Sequence, residues 1–287
     1  MRFFAGPKMR ITRGLPVYSF LVLSFSLGAT QTKKSNKVWC KMYFPKEPSI
    51  LVPGGITIIR ENWNLKYSAC FVLCSIPTTE SDGPNTKFRV PQSISIVSSP
   101  ENHHQGNNNA SVPKTTITNQ LPVLNSDSGT GTFEVNSTQV GVCVKPMHFH
   151  YNKTLELIEF LELNQIFGVT RFTLYRDTVS EQVQCVLKHY EQLGTIEVLP
   201  WDLKIESQTE IRTEGLFAAL NDCLYRNMNR FRYLMLIDFD EFIVPHMNMT
   251  IPQMLAHVDS QKIVVTGNVG RYGIKLPPQP KVTSAYR

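Results

Sequence analysis

A chain of 287 residues is long enough for one large domain or two modest ones with a buried core. With 42% hydrophobic and 18% charged residues, 16 Gly and 18 Pro, it is neither disordered nor collagen-like. The net charge of +6 does not mark a nucleic-acid binder: nine of the 29 Lys and Arg lie in residues 1–46, which hold no acid, so the rest carries 20 bases against 23 acids.

In chain order, a basic tail at 1–14 (Arg2, Lys8, Arg10, Arg13) precedes the uncharged run LPVYSFLVLSFSLGAT at 15–30. Its length and flanking charge suit a transmembrane signal-anchor first, a cleaved signal peptide second and a buried core helix last. The first two readings send the body into the secretory pathway. Four Asn-x-Ser/Thr sequons, at Asn109, Asn136, Asn152 and Asn248, agree with that compartment as glycosylation sites. So do six cysteines, an even number open to fifteen disulfide pairings. Cys70 and Cys74 lack a second ligand pair at zinc spacing, and His103 and His104 sit in a polar loop as solvated residues.

Residues 31–139 read as a stem with a small β-rich accessory region. Thr57–Arg60, Tyr67–Cys74 and Phe88–Ser98 have strand composition, separated by loop-rich polar stretches. From 140 to 260 the texture changes to alternating strands and helices. Strands are expected at Val142–Phe149, Val169–Tyr175, Thr195–Trp201 and Tyr233–Ile237. Between them fall helices at Lys153–Phe167, one capped by Ser180 and stopped at Gly194, and one over Glu210–Asn229. In the first, Leu155, Ile158, Leu161 and Ile166 are expected to face the core. This alternation predicts an α/β fold, a Rossmann-like parallel sheet with helices on both faces.

The last strand runs into Asp238-Phe239-Asp240-Glu241-Phe242. Ligands of open parallel sheets bind at the carboxyl ends of the strands. An extended backbone there would point Asp238 and Asp240 to one side. Two such carboxylates repel unless a cation lies between them, and oxygen-only ligands favour Mn²⁺ or Mg²⁺. A metal so held would bridge the diphosphate of a UDP-sugar donor and neutralise the leaving group. Alone, Asp-x-Asp is also the chemistry of a solvated loop or of a helix cap.

The run VCVKPMHFHYN (142–152), VTRFTLYRDT, YEQLGTIEVLPW (190–201), ALNDCLYRN (219–227) and YLMLIDFDEFIVP (233–245) resembles glycosyltransferase family 92. The resemblance implies a GT-A fold, a single-pass type II Golgi membrane location with a luminal body, and inverting β1,4-galactosyl transfer. The donor would be UDP-galactose, and the acceptor a glycan on a glycoprotein or glycolipid. It further implies that Asp238 and Asp240 bind the metal with Glu241 adjoining. More weakly, it places Asp177 at the uridine and gives Asp222 a nucleotide-side or structural role.

Residues 261–287 read as a divergent tail. With no acid after Asp259 to serve as general base, the GT-A fold is expected to be C-terminally incomplete, and donor binding to outlast turnover. A luminal remnant without catalysis is therefore an alternative. A haloacid-dehalogenase-like phosphatase is a distant one, since its Asp-x-Asp opens the domain. An EF-hand fails for want of its third alternating ligand and its glycine.

Overall fold

The computed structural model describes residues 38–59, 65, 67–76, 91–97, 119–124, 139–203, 209–227, 230–246 and 250–260, together with the backbone of 3–4, 8–12 and 15–24. Sequons Asn109, Asn136 and Asn248, His103 and His104, and residues 261–287 lie outside the described residues. The chain forms two compact units, Met1–Thr132 and Phe133–Arg287.

The first unit is a mixed, mainly antiparallel eight-stranded sheet. Its strands are β1 (Phe3–Phe4), β2 (Lys8–Thr12), β3 (Leu15–Ser24), β4 (Val38–Tyr43), β5 (Ile50–Ile58), β6 (Cys70–Ser75), β7 (Ser93–Val97) and β8 (Leu121–Leu124), in the order β1-β8-β7-β4-β5-β6-β3-β2. The apolar run expected as a membrane helix is, over Leu15–Ser24, a strand in register with Cys70–Ser75. Its Val, Tyr and Phe content suits a pleated sheet as well as a lipid span. Among the described residues no helix is long and apolar enough to cross a membrane.

β5 was only half visible in the sequence because Pro53, Gly54 and Gly55 interrupt it, and all three residues are poor strand formers. The glycine has a use. Cys40 of β4 and Cys74 of β6 form a disulfide although β5 lies between them. Two strand spacings would be roughly 9.5 Å, whereas the two Cα atoms are 6.1 Å apart, so the sheet bends sharply across β5. At Gly54 a Cβ would stand 3.0 Å from the Cys40 sulfur.

The second unit is the α/β layer. Strands β9 (Val140–Cys143), β10 (Arg171–Arg176), β11 (Ile196–Pro200) and β12 (Tyr233–Leu236) are all parallel, in the order β11-β10-β9-β12. Helices α1 (Thr154–Ile166), α2 (Glu181–Gln192) and α3 (Leu216–Asn227) make the crossovers, and α4 (Ile251–Ser260) follows β12. Every side chain of β9 is buried, as a central strand covered on both faces requires. The chain winds outward from β9 through β10 to β11, then returns to add β12 on the other flank. That reversal places a topological switch point between the carboxyl ends of β9 and β12.

Local chemistry explains the boundaries. The Ser180 hydroxyl accepts the Val183 N–H at the start of α2. Gly168, at φ +90°, ends α1 in a conformation that other residues rarely adopt. The buried side of α1 is Leu157, Phe160, Leu161 and Asn164. Leu155 and Ile166, expected to face the core, are 81% and 69% exposed, because the i, i+3, i+4, i+7 stripe that includes Phe160 buries the larger ring. Glu162, exposed on α1, accepts a hydrogen bond from the Tyr190 hydroxyl of α2.

A second disulfide, Cys143–Cys223, ties the end of β9 to α3. It spans 80 residues, a closure that constrains the unfolded chain by about 4.5 kcal/mol in the loop-entropy model. Replacing both cysteines with alanine is expected to lower the unfolding free energy by about 2–4 kcal/mol, read by urea denaturation. An unchanged midpoint would show that this closure contributes nothing.

Candidate donor site at the carboxyl edge of the sheet

The parallel register of β9 and β12 sets the geometry. Leu236 lies opposite Cys143, and the Ile237 N–H still donates to the Cys143 carbonyl. Two residues past that last pair on each chain stand Lys145 and Asp238, on the same face of the sheet. Lys145 Nζ donates to Asp238 Oδ2 at 2.8 Å. The pair bridges the switch point with both side chains over a third exposed, so it contributes at most about 1 kcal/mol. Pro146 biases Lys145 toward extended backbone and cannot donate an N–H, which ends the ladder there.

The acidic segment is a turn. The Glu241 N–H donates to the Asp238 carbonyl at 3.1 Å, and the Glu241 side chain reaches back to accept the Asp238 N–H at 3.0 Å. This reciprocal closure corrects the expectation of an extended Asp-x-Asp with both carboxylates on one side. Phe239 at its centre is buried, with ring centroids 5.3 Å from Phe160 and 5.4 Å from Tyr151. Burying such a ring stabilises by about 1.5–3 kcal/mol, more than the ion pair, so the aromatic anchor fixes the turn and the charges follow.

Asp240 is exposed, and its charge acts on Tyr151 and Lys153. The two carboxylates thus face different groups of one loop, the one leaving β9: Lys145 at its start, Tyr151 and Lys153 at its end. That loop is stitched to the end of β10 by Met147 N–H to Tyr175 O, Asp177 N–H to Met147 O and Tyr151 N–H to Thr178 O. Phe149 and His150 turn it with φ of +55° and +52°, backbone strain of the kind held at functional sites.

Asp177 is exposed at this edge, just past β10. Asp222 is buried instead. It is 1% exposed, accepts the Tyr175 hydroxyl at 2.6 Å and pairs with Arg226 at 3.1 Å. Of the two roles open to it, the structural one fits, because a buried carboxylate is tolerated only when so paired. Asn152 is exposed beside Tyr151, where its carbonyl accepts the Thr154 N–H at the start of α1.

The donors suit a hard divalent ion in kind. Among the described residues no three His, Cys, Asp or Glu side chains gather to cage one. An Mg²⁺-type ion does not need a cage, since it is typically held by one or two carboxylates plus substrate phosphates. Asp238 and Asp240 are the two carboxylates of the turn that would take that part. The sequence reading missed Lys145 and Tyr151. The signal for Lys145 lay in VCVKP and YLMLIDFD, which carry opposite charges just beyond two apolar runs.

A family model described as glycosyltransferase family 92 matches residues 138–283. The match runs through most of 261–287, correcting the reading of that segment as divergent. The Caenorhabditis elegans protein named beta-1,4-galactosyltransferase galt-1 is 27% identical over 109 residues, 37% of this chain and 25% of its own length. A C. elegans glycosyltransferase family 92 protein is 28% identical over 127 residues, 39% of this chain and 25% of its own. The chain thus spans about a quarter of the length of these relatives. A ferredoxin-NADP+ reductase from Plasmodium falciparum aligns over 81% of this chain and 82% of its own at 10% identity, with a TM-score of 0.21, too low to bear on the fold.

The Tyr151 phenol is pushed above its ordinary value of 10.0 by burial first, then by the charge and hydrogen bond of Glu156 and the charge of Asp240. Below pH 10 both folded and unfolded chains hold this proton; above it the unfolded chain releases it first, so stability falls as pH rises. Tyr151→Phe is expected to flatten that alkaline decline, measured by urea denaturation on either side of pH 10. An identical decline in the variant would exclude Tyr151 as its source.

Proposed function

Because the chain belongs to glycosyltransferase family 92, we propose that it transfers a hexose from a UDP-sugar to a glycan acceptor with inversion, assisted by Mn²⁺ or Mg²⁺. The single observation that carries this reading is the acidic turn Asp238–Glu241, which leaves the buried strand β12 at the switch point. Galactose is the proposed sugar, after the relative named a beta-1,4-galactosyltransferase.

In this reading Asp238 and Asp240 hold the divalent ion, whose chemistry is to neutralise the charge of the departing diphosphate. Phe239 keeps the turn seated against Phe160 while the donor binds. Helices α1 and α2 start at the same edge, so their positive N-terminal ends favour the anionic donor. Asp177 is the proposed uridine-side residue. Glu241 supports the turn through the Asp238 N–H and is not assigned to the ion. Inversion requires a base to take the acceptor hydroxyl proton, and we assign no described residue to that step. We also propose a Golgi-type luminal location for the body; the two disulfides support an oxidising compartment.

The test is product formation by the purified chain from UDP-galactose, Mn²⁺ and a galactose- or fucose-terminated glycan. Asp238→Asn is expected to lower kcat/KM by about 10²-fold or more, the scale of losing one electrostatic stabiliser. Full activity in both Asp238→Asn and Asp240→Asn would overturn the site. Donor binding without product would favour a catalytically inactive remnant, and phosphate release from a phosphoester would favour the phosphatase.

A further inference from the structure

We infer that Lys145 is a diphosphate-binding residue of the donor site, held on Asp238 until the donor and its cation arrive. The inference rests on the donor-site reading above and assigns a residue which that reading leaves without a role. Lys145 Nζ lies 2.8 Å from Asp238 Oδ2, on the carboxylate that would bind the cation. An ammonium and a divalent cation cannot share one carboxylate oxygen, because they repel at contact distance and compete for the same lone pairs. A divalent cation arriving on Asp238 repels the ammonium at close range even from the other oxygen, and so weakens the lysine's hold.

Leaving is easy. The pair is 36% and 41% exposed, so water replaces its contacts at little cost. The backbone beneath it stays in place: the β9–β12 ladder runs to Ile237, Pro146 holds the chain extended, and the loop beyond is hydrogen-bonded to β10. Only the flexible stem of the lysine has to swing. The incoming diphosphate offers the ammonium the nearest replacement anion, at the same strand end. The exchange conserves charge pairing: Asp238 passes from ammonium to cation, and Lys145 passes from carboxylate to phosphate. No covalent bond changes. Lys153, at the far end of the loop, pairs with Glu156 and not with Asp238, so it is not the group that a cation at Asp238 would displace.

The experiment compares the full chain with Lys145→Met and Lys145→Arg by calorimetry with UDP, with uridine and with Mn²⁺ alone. Lys145→Met is expected to weaken UDP binding about tenfold, the scale of one charged hydrogen bond, and to leave uridine binding unchanged. The same variant is expected to bind Mn²⁺ more tightly than the native chain, since its competitor at Asp238 is gone. Lys145→Arg, which keeps the charge, is expected to retain most UDP affinity. A Lys145→Met variant that binds UDP as the native chain does overturns the inference and leaves the donor site intact. Equal loss of UDP and uridine overturns it too, by showing a deformed pocket, as does weakened Mn²⁺ binding. A native chain that takes up neither UDP nor Mn²⁺ overturns the donor site itself, and this inference with it.

Discussion

The parallel pairing of β9 with β12 is the constraint on which the rest of the site depends. Three βα crossovers separate these strands in sequence, and the order β11-β10-β9-β12 makes them neighbours. Once Leu236 is opposite Cys143, the next residues on both chains are placed without further choice. A shift of one residue would turn Asp238 to the opposite face from Lys145. Apolar burial on both faces of β9 resists that shift, because it would have to be given up along the whole strand.

Strong and weak interactions divide the work. Rings from three elements, Phe160 on α1, Phe239 in the acidic turn and Tyr151 in the loop after β9, hold the turn by buried area. The charged groups above them are joined by exposed contacts that can be exchanged. In the buried layer beneath them the balance reverses. Tyr175, Asp222 and Arg226 form a buried network, where losing any one partner would leave an unsatisfied polar or charged group. The carboxyl edge can therefore change partners while the layer beneath it does not.

The alternation of strands and helices was legible because each element carried its own local signal. Ser180 capped α2, Gly168 stopped α1, and the apolar run YLMLI marked the last strand. The register between strands was not legible, since it depends on contacts between residues nearly a hundred positions apart; Lys145 and the disulfide Cys143–Cys223 were hidden for that reason. Local pattern misled where tertiary packing chose between two apolar stripes, as with Leu155 and Ile166 on α1. It misled again at Asp238, where the Glu241 side chain closes a turn that composition alone does not distinguish from extended chain. Over 15–24 an apolar run was compatible with either a span or a strand, and pairing with β6 settled the backbone as a strand.

The covalent link between Cys143 and Cys223 encloses α1, β10, α2 and β11 in one ring of chain. A single proteolytic cut anywhere from Val144 to Asp222 therefore releases no fragment. The clipped molecule would keep its mass, apart from one added water, and would pass for intact on a gel run without a thiol.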